Sequence, residues 1–318
     1  IDLCNRYGVS THEFGPLIDF VVALYERGII TRDDTGGLVL ERGFETASTL
    51  IRQVAFREGI GDILADGEVA IIKKFGSECE RYSTQKKTTP VRRDGRSFGL
   101  TPGVVEEMIN PLGGEDVPAV AGAMPTHFST ARGVSQEQMR EQCRRTGVSE
   151  EAQDRIFDAP TGYNASRLTR HAEDWYSIMN ALGCCMRAHI DRFYSIDTCA
   201  GLYSAATGIE IEPAELKEAG ERIWNLQRVL NVREGFSRKD DTFPVIWLEP
   251  LKNTDGKDLF LEDSRGKVLT AEDLSTRVLD DYYAERGWDI EKGIPTKEKL
   301  TSLGLGNQAC DLEKSGYY

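Results

Sequence analysis

Glu212-Pro213 opens a run in which Leu216, Ala219, Ile223, Leu226 and Leu230 recur at alternating three- and four-residue steps. That spacing lays one apolar stripe along a helix and none along a strand. Proline suits the first helical turn, where its missing N–H has no intrahelical bond to lose. The same period recurs along the chain. Leu17, Phe20, Val21, Leu24 and Tyr25 follow Gly15-Pro16 and stop before Gly28. Phe44, Ala47, Leu50, Ile51 and Val54 make a second stripe, and Ile60 to Phe75 a third that ends at Gly76. Gln136 to Arg145 and Glu150 to Phe157 read as short surface helices, and His171 to Met179 as a helix leading into a glycine turn. Leu274, Val278, Tyr282 and Tyr283 mark a last helix, closed by Gly287. Strand-like alternation is scarce, with Val245 to Leu248 the best short candidate. The expected fold class is mainly α and multihelical.

Residues 77–135 break this rhythm. Pro102, Pro111, Pro118 and Pro125 alternate with Gly103, Gly113, Gly114 and Gly122, which makes long helices unfavourable there. A connection of that length serves function or joins domains. The expected division is a helical domain over 1–85 and a second helical domain over 86–318.

The 318 residues suffice for two domains or one large core. A net charge of -13 repels a phosphate backbone and argues against a general nucleic-acid role. No apolar run reaches the roughly 20 residues needed to span a bilayer; the most apolar stretch, 17–30, is broken by Asp19, Glu26 and Arg27. No secretory signal is visible. The seven cysteines are odd in number and scattered, which argues against a disulfide framework and fits a reducing, cytoplasmic setting. The chain begins without Met, inside what reads as a helix end, as expected of a fragment, a processed product or one half of a split protein.

Two short segments resemble each other. Asn5-Arg6-Tyr7-Gly8-Val9-Ser10 and Asn180-Ala181-Leu182-Gly183-Cys184-Cys185 both read Asn-x-x-Gly-x-(Ser/Cys). Each is a plausible helix end, with Gly at the positive-φ position and main-chain groups free to meet a ligand. By composition alone each is also an ordinary glycine cap. Cys184-Cys185 is the one adjacent cysteine pair.

These segments are similar to the paired Asp-x-x-Gly-Leu-(Asp/Cys) segments of the aldehyde:ferredoxin oxidoreductase family, in the same order. Tyr25-Glu26-Arg27-Gly28-Ile29-Ile30 and Arg57-Glu58-Gly59-Ile60-Gly61-Asp62 extend the resemblance. Gly220-Glu221-Arg222-Ile223-Trp224-Asn225-Leu226, Asn231-Val232-Arg233-Glu234-Gly235-Phe236, Arg238-Lys239-Asp240-Asp241, Tyr282-Tyr283, Arg286-Gly287-Trp288-Asp289 and Gly293-Ile294-Pro295-Thr296 complete it. It covers residues 1–76 and about 165–305, and implies the multihelical C-terminal domains of that family, without the N-terminal pterin-binding domain.

In the family each segment holds one of two pterins that chelate a single tungsten, or molybdenum. The resemblance therefore implies pterin contacts at Asn5, Gly8, Val9 and Ser10, and at Asn180, Gly183, Cys184 and Met186. Cys185 would be the fourth thiolate of a [4Fe-4S] cluster, the other three lying upstream of residue 1. Two departures stand out. Asn replaces Asp at both 5 and 180, keeping an acceptor but losing the charge that strengthens its hydrogen bonds. The family's Asn-Pro-Arg-Gly-Ala-Asp-His stretch, whose His sits near the metal, becomes Asn110-Pro111-Leu112-Gly113-Gly114-Glu115-Asp116. Asp116 takes the approximate place of that His; His127 and His12 are the other candidates for proton transfer near the metal. His171 and His189 flank the cysteine pair and read as structural.

The implied activity is a low-potential oxidation of aldehydes to carboxylic acids with ferredoxin, or its reverse. The implied partners are ferredoxin or an electron-transfer subunit and the missing N-terminal half, in an oligomer. The altered region 90–135 and the stretch from Asp174 to Cys185 also resemble the tungsten subunit of class II benzoyl-CoA reductase, which implies an aromatic acyl-CoA substrate instead. A cofactor-free scaffold is the reading from another class, motivated by the two Asn residues.

Overall fold

The structure, a computed structural model, describes residues 1–86, 89–91, 94–109, 135–184 and 194–318. The chain divides into two compact units. One comprises Ile1–Arg92 with Pro244–Glu249, the other Arg93–Phe243 with Pro250–Tyr318.

The first unit is built from α1 (Asp2–Tyr7), α2 (Thr11–Glu26), α3 (Phe44–Phe56), α4 (Gly61–Leu64) and α5 (Gly67–Phe75), with a short antiparallel pair, β1 (Gln85–Lys86) and β2 (Thr89–Pro90). The apolar stripes meet in one core that includes Phe14, Phe20, Val21, Leu24, Leu50 and Ile71. Two expectations are corrected. α2 starts at Thr11 with Ser10 as N-cap, so Pro16 lies inside the helix rather than at its first turn. Burial of Phe14 and Leu17 on the same core offsets the one helical hydrogen bond that a proline forgoes. The stripe from Ile60 to Phe75 is two helices, because Gly67 takes a φ of 80° and turns the chain between them.

The second unit contains α6 (Gly95–Phe98), α7 (Pro102–Ile109), α8 (Gln136–Arg145), α9 (Glu150–Ile156), α10 (Ala165–Ala181), α11 (Ile196–Thr207) and α12 (Pro213–Arg233). A hairpin, β3 (Leu251–Lys252) and β4 (Asp258–Leu259), precedes α13 (Ala271–Asp273) and α14 (Leu279–Arg286). A second pair, β5 (Trp288–Asp289) and β6 (Ile294–Pro295), leads to α15 (Lys297–Ser302) and α16 (Gly306–Lys314). As expected, α12 starts at Pro213, and the Glu215 carboxylate accepts the Glu212 amide, 2.9 Å, at that start. α10 packs against α7, α12 and α14, and its Trp175, Ile178 and Met179 are buried. The last expected helix is interrupted: Leu274–Val278 forms a π-helical turn between α13 and α14. Val245 to Leu248 is not a strand but a 3-10 turn. Its alternation reflects burial of Trp247 alone, while Val245 and Leu248 are exposed.

Candidate functional site

The two Asn-x-x-Gly segments build the same turn. In the first unit α1 ends at Tyr7, and Gly8 takes a left-handed conformation, φ 70°. The amide of Val9 reaches back five residues to the Cys4 carbonyl, 2.9 Å. In the second unit α10 ends at Ala181, and Gly183 has φ 76°. The amide of Cys184 reaches back five residues to the Met179 carbonyl, again 2.9 Å. This is the six-to-one bond of a Schellman cap. Asn5 and Asn180, one position after each accepting residue, are both exposed. Among the described residues, a Cβ placed on Gly8 or Gly183 would meet no atom within 4 Å beyond its chain neighbours. Each turn thus exposes one amide side chain beside an exposed glycine, while the amides of Gly8, Val9, Leu182, Gly183 and Cys184 are bonded within their own turns.

Beside the first turn lies a cleft of about 410 Å³, lined by Val9, Ser10, Glu13, Phe14 and the segment from Leu64 to Val69. The residues that follow the Arg57–Asp62 landmark therefore share a surface with the first segment, a relation that sequence spacing did not reveal. His12 lies on the first turn of α2, and its side chain is outside the described residues. So are Asp116, His127, Cys185, Met186 and His189. The described residues therefore bring together Asn5, Gly8, Val9 and Ser10 in one turn and Asn180, Gly183 and Cys184 in the other.

Behind the second turn the structure shows a buried ionic network that periodicity could not find. Arg286 of α14 is fully buried. It donates to Asp174 and Glu173 and to the Arg170 carbonyl, 3.0 Å. Tyr282 donates to Glu173, 2.7 Å, and accepts from the Trp224 indole, 3.0 Å. Burial pushes the Glu173 carboxyl up to about 7, against the pull of Arg286. Arg170 also pairs with Asp174 at 3.3 Å and Glu221 at 2.6 Å, and Lys299 joins Glu221 at 2.9 Å. A second buried pair, Arg228 with Asp241, lies near Trp288, which donates to Asn225 at 2.8 Å.

His171 is buried on α10 with Nε2 3.1 Å from Glu285 Oε1. Burial pushes its imidazole down to about 3, so at neutral pH a neutral ring donates to the carboxylate. Its role is packing, as its place on α10 suggested. Cys199 is buried with Sγ 3.9 Å from Met179 Sδ. Burial and the neighbouring Cys184 thiol push the Cys199 thiol up to about 11. It is thus a poor nucleophile at neutral pH.

The family model for aldehyde ferredoxin oxidoreductase, domains 2 and 3, matches residues 1–305. A tungsten-containing aldehyde ferredoxin oxidoreductase of Pyrococcus horikoshii is 26% identical over 318 residues, covering 95% of this chain and 44% of its own length. The WOR-like subunit of an aliphatic sulfonate oxidoreductase of Pyrococcus furiosus is 27% identical over 325 residues, covering 98% of this chain and 43% of its own. Among solved structures, a chain of the active site complex BamBC of benzoyl coenzyme A reductase, in complex with 1,5-dienoyl-CoA, superposes with a TM-score of 0.68. That match covers 99% of this chain and 47% of the other at 24% identity, a likeness of fold. The chain spans less than half the length of these relatives. Matched over nearly all its length to domains 2 and 3, and carrying the paired glycine turns in the expected order, it belongs to the aldehyde ferredoxin oxidoreductase family.

Proposed function

We propose that this chain forms one wall of the cofactor site of a low-potential tungsten-pterin oxidoreductase that oxidises aldehydes to carboxylic acids with ferredoxin, or runs in reverse. One observation carries the reading: two Asn-x-x-Gly turns, remote in sequence, adopt the same six-to-one hydrogen bond and leave the same outward amide and open glycine. Such a cradle fits a planar group rich in hydrogen-bond donors and acceptors, because Asn offers two donors and an acceptor and an uncrowded Gly admits close approach. Asn5, Gly8, Val9 and Ser10 would hold one pterin; Asn180, Gly183, Cys184 and Met186 would hold the other. Cys185 would bind a [4Fe-4S] cluster as a thiolate. When bound, the metal-pterin group supplies two-electron exchange and the cluster passes electrons on one at a time.

This chain's own part is binding and proton handling. Without carboxylates at 5 and 180, its grip on the pterin rests on neutral hydrogen bonds and main-chain groups. His127, Asp116 and His12 are the candidates to hold or release a proton, at an imidazole nitrogen or a carboxylate oxygen, beside the substrate. Among the described residues no helix is long and apolar enough to cross a membrane. The electron partner would be ferredoxin or a dedicated subunit, and the remainder of the protein would complete the site, in an oligomer.

A second reading changes the substrate. The fold match to a benzoyl coenzyme A reductase complex extends over 99% of the chain, which favours an aromatic acyl-CoA reductase subunit. A cofactor-free scaffold is the third reading, favoured by the loss of both acids. Elemental analysis of the complete, anaerobically purified protein separates it from the first two. Tungsten or molybdenum together with iron is expected; absence of all three elements overturns both enzyme readings. Assays with aldehydes and with aromatic acyl-CoA thioesters, each with a low-potential dye as electron partner, then separate the two substrates.

A further inference from the structure

α10 carries the second glycine turn at its C-terminal end, and neighbouring helices grip it just before that turn. Arg286 donates to Glu173, Asp174 and the Arg170 carbonyl, three positions on one face of α10. Tyr282, one turn before Arg286 on α14, donates to the same Glu173. From the other side α12 approaches so closely that a Cβ on Gly220 would stand 2.5 Å from the Asp174 carbonyl oxygen and 2.8 Å from Ile178 Cγ1. Ile178 also accepts the Leu182 amide, 3.0 Å, and the adjacent Met179 accepts the Cys184 amide. Ile178 therefore both faces Gly220 and helps to close the turn, four residues beyond Asp174 on the same helix.

An apolar contact would hold α10 at lower desolvation cost, because buried ion pairs seldom outdo well-packed hydrophobic side chains in stability. A guanidinium fork differs in being directional. If α10 slid by a turn or rotated, Arg286 and Glu173 would lose their contacts across to one another, and Asp174 would keep Arg170 of its own helix as its guanidinium partner. We propose that Arg286 is a positioning residue: its fork fixes the register and rotation of α10 and so sets where the Asn180–Cys184 turn meets its cofactor. The proposal rests on the reading of that turn as a cofactor-holding element.

The test uses the complete protein. Arg286→Met combined with Glu173→Gln and Asp174→Asn removes the fork and both of its carboxylates together, while Arg170 keeps Glu221 as a partner. Hydrogen exchange is followed at the Leu182, Gly183 and Cys184 amides, and the cluster's electron paramagnetic resonance signal is recorded in parallel. The expected result is at least ten-fold faster exchange at those three amides and an altered signal, with the Val229 and Val232 amides unchanged. Arg286→Lys keeps the charge but not the fork and should fall between wild type and the triple variant; if the triple variant does not fold, this variant decides on the same readout. Leu300→Ala, which opens a cavity in the separate cluster of Val229, Val232 and Leu312, controls for general loss of stability. Unchanged exchange at the three amides overturns the proposal, as does equal acceleration in Leu300→Ala. A wild-type protein without iron, tungsten or molybdenum would overturn the cofactor reading instead, and the amide exchange would still report whether the lock exists.

Discussion

Arg228 and Asp241 face each other in a two-pronged pair, Nη2 to Oδ2 at 2.6 Å and Nη1 to Oδ1 at 3.1 Å, with side chains only 2% and 0% exposed. The Arg228 guanidinium also donates to the Gly293 carbonyl, 2.9 Å, and lies 5.1 Å from the Trp288 ring centre. Tyr283 donates to the same Asp241. The pair ties α12 to the loop after it and to the turn before β6.

Removing Arg228 takes the guanidinium from a buried carboxylate that keeps the Tyr283 hydroxyl. Arg228→Ala should destabilise the protein by about 3 kcal/mol, toward the low end of what breaking a buried ion pair costs. Denaturant unfolding at pH 7 measures it. A loss of about 1 kcal/mol or less would mean that water reaches Asp241 and that the site is not closed.

Glu173 makes stability depend on pH. Its folded value of about 7 lies above its ordinary 4.5, because burial disfavours the charged form. The native state therefore binds more protons than the unfolded state between these values, and the Glu173 contribution falls as pH rises through that window. Above pH 7 the ionised group is a net cost to the native state, because burial outweighs the pull of Arg286 and Tyr282. Glu173→Gln should remove this slope and gain stability relative to wild type at pH 8. Melting temperatures of the two proteins from pH 4.5 to 8 give the comparison, and parallel curves would refute the assignment.

His171 acts in the opposite sense. Burial holds it down at about 3, against an ordinary 6.5, so the unfolded state takes up its proton first. Its contribution is full above pH 6.5 and falls as acid is added toward pH 3. His171→Gln, which keeps a donor for Glu285, should flatten the acid limb of the stability curve. The His171 and Glu173 windows overlap between 4.5 and 6.5 with opposite signs, so wild type should look flatter there than either variant. A wild-type slope equal to that of one variant would show that only one of the groups titrates as described.

Gly220→Ala tests the approach of α12 to α10. The added methyl would overlap the Asp174 carbonyl and Ile178. A destabilisation of about 1–3 kcal/mol is expected, as for other overpacked cores, although Ala is the better helix former by about 1 kcal/mol. A more stable variant would mean that the helices have room to separate.

Most helices were legible because amphipathic period is a local property. α8 spans its expected bounds and α12 starts where expected, since Ser135 and Glu212-Pro213 mark those starts. α2 was read too short because Pro16 resembled a start signal, whereas the core on Phe14 and Leu17 draws the helix through it. The π turn at Leu274–Val278 leaves no trace in spacing, because apolar residues still recur about every four positions. The ionic network was invisible for a different reason. Arg170, Glu173, Asp174 and Glu221 look like a solvated polar face, and only tertiary packing shows that Arg286 buries them. The family landmarks around Gly220 and Tyr282 were read as identity marks alone. The structure shows what they do: Gly220 admits α10, Trp224 meets Tyr282, and Asn225 meets Trp288. The paired turns at Gly8 and Gly183 were visible as a repeat, but their common hydrogen bond was not.

That common bond bears on how such proteins drift apart. A cradle closed between main-chain amides and carbonyls places little demand on the side chains at the intervening positions, which here are Arg6, Tyr7, Ala181 and Leu182. Only the glycine is obliged to stay, by its positive φ. Descendants of one ancestor could therefore replace most letters of the segment while conserving its shape, and would be recognised more readily by backbone trace than by alphabet.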